Sequence, residues 1–422
     1  MTTKYYDVVI IGSGISGLYS AYKIKETSPT TSFVVLEKYK HEWIGGRTSN
    51  DEFYGTQIVT GAGIGRGDKN PLLIHLLKKL HIAFQKTTSI MVYANTIRTP
   101  INILKVMKIL RKEYNKNKKV YNQLTFKQFA VKILGAKIYK DFIISAGYTD
   151  YENADVYETL YNYGFDDNTG GWCMLLVPWK KLILKLASKI GESNIKFSQE
   201  VVHIERNNTN AIDSNMCLFK IITEDGNNYL CNKVILATTI DSVQKLLPQY
   251  SNIYNQIHGQ TFLRLYGKFN KASAFILKQI VKNYMIVPGP LQKIIPIDSD
   301  KGVYMIAYSD NKNAKLLKPY LENNLKNREF LCRLLEKTLG LSANSLYLIA
   351  IKDFYWPIGT HYYEPLKDFK TREEFVRKAQ NPEQNILVVG EAVSRYQGWS
   401  EGALESVETG LTNKWITNDK CD

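Results

Sequence analysis

The chain has 422 residues, 44% hydrophobic and 23% charged, which is room for two domains with separate cores and an ordinary balance for a globular protein. No apolar run reaches the ~18 residues of a membrane-spanning helix. Met1 leads into Asp7-Val8-Val9-Ile10-Ile11 without a basic-then-apolar leader, so the expected location is cytoplasmic. The net charge of +15 invites a polyanion, but much of it is Lys spread along helical stretches (Lys105, Lys108, Lys112, Lys116, Lys118, Lys119), with no aromatic-basic RNA motif. No specific nucleic-acid site is expected.

In chain order, Tyr5 to Ile11 is β-branched and apolar, the pattern of a parallel strand buried on both faces. Gly12-Ser13-Gly14-Ile15-Ser16-Gly17 follows, then a helical pattern to about Thr27, stopped by Ser28-Pro29. Ser32 to Leu36 reads as a second strand ending at Glu37. From Asn70 to about Ile190 the pattern is mainly helical, with Leu72, Leu73, Leu76, Leu77 and Leu80 on one face. Ile101 to Tyr114, Phe126 to Leu134 and Lys180 to Ile190 are similar. Strand-like runs return at Ile195 to Ile204, Cys217 to Thr223 and Tyr229 to Ala237, the last two joined by turn residues Glu224-Asp225-Gly226-Asn227. Further strands fit Thr261 to Phe269, Val303 to Ala307, Leu346 to Asp353 and Ile386 to Val389, and a closing helix starts near Gly402. The five cysteines (Cys173, Cys217, Cys231, Cys332, Cys421) have no metal-ligand spacing, so no metal site or disulfide framework is expected.

Strand, glycine turn, helix, strand and acid in that order make the opening βαβ unit of a dinucleotide fold. Gly12 permits the tight turn, Gly14 lets backbone approach a pyrophosphate, and Gly17 lets helix and sheet pack closely. The N–H groups around Ile15 and Ser16 offer positive partial charge to phosphate. Glu37 lies 20 residues after Gly17, where a carboxylate accepts from a ribose, and Lys38 follows it. Gly45-Gly46-Arg47 suits a second phosphate-facing loop with Arg47 forked towards the pyrophosphate. The later run Gly61-Ala62-Gly63-Ile64-Gly65-Arg66-Gly67 has the wrong spacing for a second dinucleotide site.

These segments, with the hairpin through Ala237-Thr238 and the C-terminal block Leu387 to Gly410, resemble the flavin-containing amine oxidase family of monoamine, polyamine and L-amino-acid oxidases. The resemblance covers both ends and the middle, and is loose over about 90–190 and much of 270–345. It implies an α/β fold: a Rossmann-type FAD domain interleaved with an α+β substrate domain. The FAD domain is expected at 1–70, 191–250 and 381–422, the helical part of the substrate domain at 71–190, and its sheet at 251–380. FAD is the implied cofactor. Glu37 would hold the ribose, Arg47 the phosphates, and Val201 the adenine through its backbone. Gly390-Glu391 would approach the ribityl chain and pyrophosphate, Gly63-Ile64 would pass beside the flavin, and Glu401-Gly402-Ala403 would present a helix N-terminus to it.

The resemblance also implies the chemistry: a hydride equivalent passes from a carbon next to nitrogen to FAD, and dioxygen reoxidises the flavin to give hydrogen peroxide. Trp399 and Tyr362 would flank a small amine or amino acid, since aromatic faces hold cations. Two departures stand out. Gly359-Thr360-His361-Tyr362 has no cysteine to attach flavin, so FAD is expected to be non-covalent and His361 hydrogen-bonded or exposed. Counting back from Phe269 places Arg264 where many members carry a lysine near the flavin. Arg66 and Arg264 together could clamp a carboxylate. The alternatives are an enzyme acting on C–C bonds (a desaturase or protoporphyrinogen-oxidase-like protein), a non-redox sugar mutase, or a flavin-bound scaffold that has lost catalysis.

Overall fold

A computed structural model describes residues 4–165, 169–206 and 218–417. The expected strand start at Cys217, and Cys421 at the C-terminus, lie outside the described residues. Two large sheets, of seven and six strands among the described residues, carry the architecture.

The first sheet is built on Lys4–Ile11, which lies parallel to Phe33–Leu36 on one side and to Asn228–Leu236 on the other. Ile195–Lys196 extends it beyond Phe33–Leu36, and Ile386–Val388 pairs parallel with Val234 to Leu236. The unbroken apolar run Val8 to Ile11 follows from this central place. Val8 and Ile10 enter one core with Leu18, Ile24 and Leu404, while Val9 and Ile11 enter another with Val234, Val243 and Phe375. The Ile15–Thr27 and Ser400–Gly410 helices cover the first face, so the two ends of the chain share one core. This is a Rossmann-type nucleotide fold. Val201–Arg206 and Phe219–Thr223 add an antiparallel extension to the same sheet.

The second sheet runs in the order Leu348–Tyr363, Ile257–Phe269, Val303–Asp310, Lys293–Asp298, Tyr284–Ile286, Met91–Tyr93. Its first five strands pair antiparallel and the last is parallel. Along Ile257–Phe269, Leu263 and Leu265 enter a core with Leu277 and Leu335. Alternation therefore turns Phe262, Arg264 and Tyr266 to the opposite face. A separate aromatic core, Phe126, Phe129, Phe142, Tyr151 and Phe165, holds the helices between Ile103 and Tyr161 together.

The helices Pro71–Lys79 and Trp179–Ile190 correct one expected boundary. Both fall in the 71–190 stretch expected for the substrate domain, yet Leu73, Leu76, Leu77, Trp179, Leu182 and Leu186 pack in the same core as Val8 and Ile10. Their apolar faces match the nucleotide sheet, and the helical period by itself does not name the surface that covers it. The run expected as one strand, Ile195 to Ile204, is two strands broken at 197–200, and the expected Leu346–Asp353 strand continues to Tyr363.

Candidate functional site

The glycine turn has the geometry its sequence requires. Gly12 has φ +104°, and a Cβ there would stand 2.7 Å from the Ala237 carbonyl oxygen. A Cβ on Gly17 would stand 2.0 Å from Gly12 O, which holds helix and strand in close contact. A Cβ on Gly14 would meet nothing within 4 Å, so the helix start faces open space. Gly14 caps the Ile15–Thr27 helix without a side-chain bond, and the first turn carries no acid. Its leading N–H groups and dipole are therefore available to an anion.

Three distant segments close around that turn. Gly45 N–H donates to Ser13 O at 3.1 Å. Gly390, at φ +127°, would place a Cβ 3.7 Å from Ser16 Oγ. Ala237 N–H donates to Ile11 O at 2.8 Å, and Thr238 Cγ2 would lie 3.5 Å from a Cβ on Gly12. Gly46, at φ +54°, faces open space as Gly14 does. Val201 opens the antiparallel extension opposite Thr223.

The polar residues are placed as follows. Glu37 is buried at the end of Phe33–Leu36, and its carboxylate accepts from Ser13 N–H and Ser13 Oγ, both at 2.8 Å, and from Tyr39 N–H at 3.0 Å. It braces the glycine turn directly. Lys38 is exposed and pairs with Glu200 at 3.4 Å. Arg47 Nη1 donates to Gly359 O at 2.8 Å and to Glu391 Oε1 at 2.9 Å. Part of the fork expected at a pyrophosphate is thus spent on protein. Glu391 is buried and also takes Gly398 N–H at 2.9 Å and His361 Nδ1–H. Burial works against its charge, but His361, Arg47 and the Gly398 N–H outweigh burial and bring the carboxyl down to about 2. His361 is buried, and its Nε2 accepts from Ile240 N–H at 3.1 Å. Both ring nitrogens are engaged within the protein.

Glu401 stands apart from the expectation. Its two oxygens accept from Leu72 N–H at 2.9 Å and Leu73 N–H at 3.0 Å, so the side chain caps the Pro71–Lys79 helix. Gly402 and Ala403 remain in the first turn of Ser400–Gly410, and a Cβ on Gly402 would stand 2.2 Å from Tyr396 O.

Arg264 is buried on the sheet face opposite Leu263 and Leu265. Its Nε donates to Gly61 O at 2.7 Å, and a Cβ on Gly63 would stand 2.9 Å from Nη2. From the same face Tyr266 OH donates to Val59 O at 2.6 Å, and Trp356 Nε1 donates to Thr60 O at 2.8 Å. Three side chains thus hold three consecutive carbonyls of the segment leading to Gly63-Ile64. Arg66 is buried, and its guanidinium carbon sits 3.8 Å from the centre of the Trp399 ring. Tyr362 is not part of this group. Its ring lies 5.2 Å from His258, whose Nε2 is paired with Glu364 at 3.0 Å. Thr360, two residues earlier, packs on the Gly398-Trp399 turn instead, 3.5 Å from where a Cβ on Gly398 would be. The bulged register between Gln260 and Phe262 shifts which residue of the facing strand reaches that turn.

Comparison with known proteins follows the same lines. The family model for an NAD(P)-binding Rossmann-like domain matches residues 10–80. Wild-type putrescine oxidase bound to putrescine superimposes with a TM-score of 0.73 at 13% identity, over 97% of this chain and 99% of that one. Cyclohexylamine oxidase from Brevibacterium oxydans IH-35A gives 0.73 at 14% identity, over 97% and 98%. The chain has the fold of these two amine oxidases. An uncharacterized protein of Acanthamoeba polyphaga mimivirus is 23% identical over 96% of this chain and 93% of its own length. The FAD-containing monooxygenase EthA of Mycolicibacterium smegmatis is 46% identical over 44 residues, 10% of this chain. Among the described residues no helix is long and apolar enough to cross a membrane.

Within this amine-oxidase fold, one residue escaped the sequence reading. Lys293 opens the Lys293–Asp298 strand and is fully buried beside Tyr148, Tyr308 and Arg264. Its segment, Gln292-Lys293-Ile294-Ile295, resembles an ordinary edge of a strand. The faint signal was a single lysine ahead of two isoleucines in a chain with 55 basic residues.

Proposed function

We propose that the protein is an FAD-dependent oxidoreductase that binds its cofactor without a covalent bond and oxidises a small amino compound. The observation that carries this reading is the convergence of Gly45, Ala237 and Gly390, from three distant parts of the chain, on one uncapped helix start with open space at Gly14. A dinucleotide bound at such a turn uses all of these at once. The first-turn N–H groups of Ile15, Ser16 and Gly17 would take phosphate, with the rest of the Arg47 fork. Glu37 would take the ribose while keeping Ser13 in place. Bound there, FAD supplies the two-electron acceptor, with dioxygen as the terminal oxidant.

The remaining residues act on the substrate. Val59 to Gly61, pinned by Tyr266, Trp356 and Arg264, would hold the following Gly63-Ile64 as a rigid wall beside the reacting atoms. Trp399 would position the substrate. One face of its ring already carries the Arg66 cation, and a second cation brought close is repelled. This favours an amino compound that also bears a negative group over a polyamine.

Purified protein should be yellow, and acid or heat should release FAD into solution. Peroxide should form with some member of a panel of amines and amino acids. A colourless protein that cannot be reconstituted with FAD sinks the reading, and flavin retained by the precipitated polypeptide refutes the non-covalent part alone.

A further inference from the structure

Lys293 is fully buried, and its Nζ finds no hydrogen-bond acceptor among the described residues. Nζ lies over the Tyr148 ring and 4.9 Å from the centre of the Tyr308 ring. The same Tyr308 ring carries the Arg264 guanidinium carbon at 4.1 Å. Two buried basic side chains therefore share one tyrosine, and Arg264 also touches the Gly61–Gly63 segment.

The nearby carboxylates are committed elsewhere. Asp310 accepts from Thr149 N–H at 2.7 Å, Thr149 Oγ1 at 2.5 Å, Asp150 N–H at 3.1 Å and Gln292 Nε2 at 3.0 Å. Asp150 accepts from Tyr163 OH at 2.6 Å. Burial, with the Asp310 charge, pushes the Asp150 carboxyl up. Burial, helped by Arg264 and resisted by Asp310 and Asp150, pushes the Lys293 ammonium well below the lysine range. Aromatic faces offset part of the cost of burying an ammonium, but they leave its three N–H donors without lone pairs.

An oxyanion would supply those lone pairs and match the second cation. We propose that Lys293, with Arg264 across Tyr308, forms a subsite for a compact oxyanion, a carboxylate or a phosphate, carried by the substrate. That it is the substrate which carries the anion rests on the flavoenzyme reading above; the subsite itself does not. A cavity of about 180 Å³ is lined by residues including Gly147, Val287, Gly289 and Gln292, the last adjacent in sequence to Lys293. A Cβ on Gly147 would stand 3.1 Å from Lys293 Cε, so a side chain there would crowd the lysine stem.

Isothermal titration of the purified holoprotein tests the subsite without turnover. Butanoate and inorganic phosphate are the anionic probes, and butylammonium is the cationic control. Wild type should bind at least one anion and not the cation. Lys293→Met should weaken that binding about tenfold or more, the scale of a lost charge-assisted contact. Lys293→Arg should retain it. Binding of butanoate alone assigns a carboxylate, and of phosphate alone a phosphate ester. Visible flavin absorbance and Tm verify that each variant is folded and loaded. Absence of anion binding by wild type, or equal binding by Lys293→Met, overturns the subsite. A colourless protein that still binds an anion through Lys293 would overturn only the flavin reading.

Discussion

The guanidinium carbon of Arg66 lies 3.8 Å from the centre of the Trp399 ring, joining the end of the glycine-rich Gly61–Gly67 segment to the turn before the C-terminal helix. A desolvated contact of this kind contributes up to about 2 kcal/mol, and it holds the indole against the end of the glycine-rich segment. Trp399→Ala should therefore lower kcat/KM roughly tenfold or more while leaving FAD content near wild type. Steady-state kinetics with bound-flavin absorbance measure both. Parallel loss of flavin and turnover would make Trp399 a packing residue of the nucleotide domain.

Glu37 holds both the N–H and the hydroxyl of Ser13, so its removal loosens the turn as well as the proposed ribose contact. Glu37→Ala should weaken FAD binding by about 1.5–3 kcal/mol, the scale of hydrogen bonds to a charged acceptor. An FAD dissociation constant unchanged by the substitution contradicts the assignment.

Arg264 presents a fixed positive charge beside Gly61 and Gly63. A cation near the flavin stabilises its anionic reduced form and raises its potential. Arg264→Met should lower the potential, and Arg264→Lys should change the rate of reoxidation by dioxygen while FAD content holds. Stopped-flow reoxidation of the photoreduced protein reads the rate. Equal rates in wild type and both variants would remove Arg264 from the flavin's surroundings.

Glu391 links Arg47, His361 and Gly398, and its folded-state value of about 2 lies below the ordinary 4.5. A depressed carboxyl contributes stability that is complete above pH 4.5 and is lost as pH falls towards 2. Glu391→Gln should cost on the order of 1–3 kcal/mol at pH 7. It should also flatten the loss of stability over that acidic window. Thermal unfolding of both proteins as a function of pH checks the sign, and parallel curves would exclude Glu391 as the titrating group.

The nucleotide half was legible because its requirements are local. Gly12, Gly14 and Gly17 are imposed by positive φ, open approach and close packing within six residues, and Glu37 by strand length. Periodicity likewise announced helices over Phe126 to Leu134 and Lys180 to Ile190, the second of which starts at Trp179. It did not say that Trp179 and Leu182 share a core with Val8 and Ile10, because an apolar stripe records that a face is covered and not by what.

The substrate side depended on contacts between separate strands. The sheet face that Arg264 takes followed from counting along one strand, where successive side chains alternate. Tyr362 did not, because the irregular register between Gln260 and Phe262 puts Thr360 against the Trp399 turn and leaves Tyr362 beside His258. Lys293 was the least readable. In sequence it is one basic residue among many, and its lowered basicity comes from burial and from Arg264, against the opposing pull of Asp310 and Asp150, all of which depend on how the fold packs around it. The chain alone determined a dinucleotide turn and the two ends that close on it, since backbone sterics act over a few residues. Only the tertiary structure decided which charges stand buried and uncommitted, since desolvation depends on neighbours the chain brings from far away.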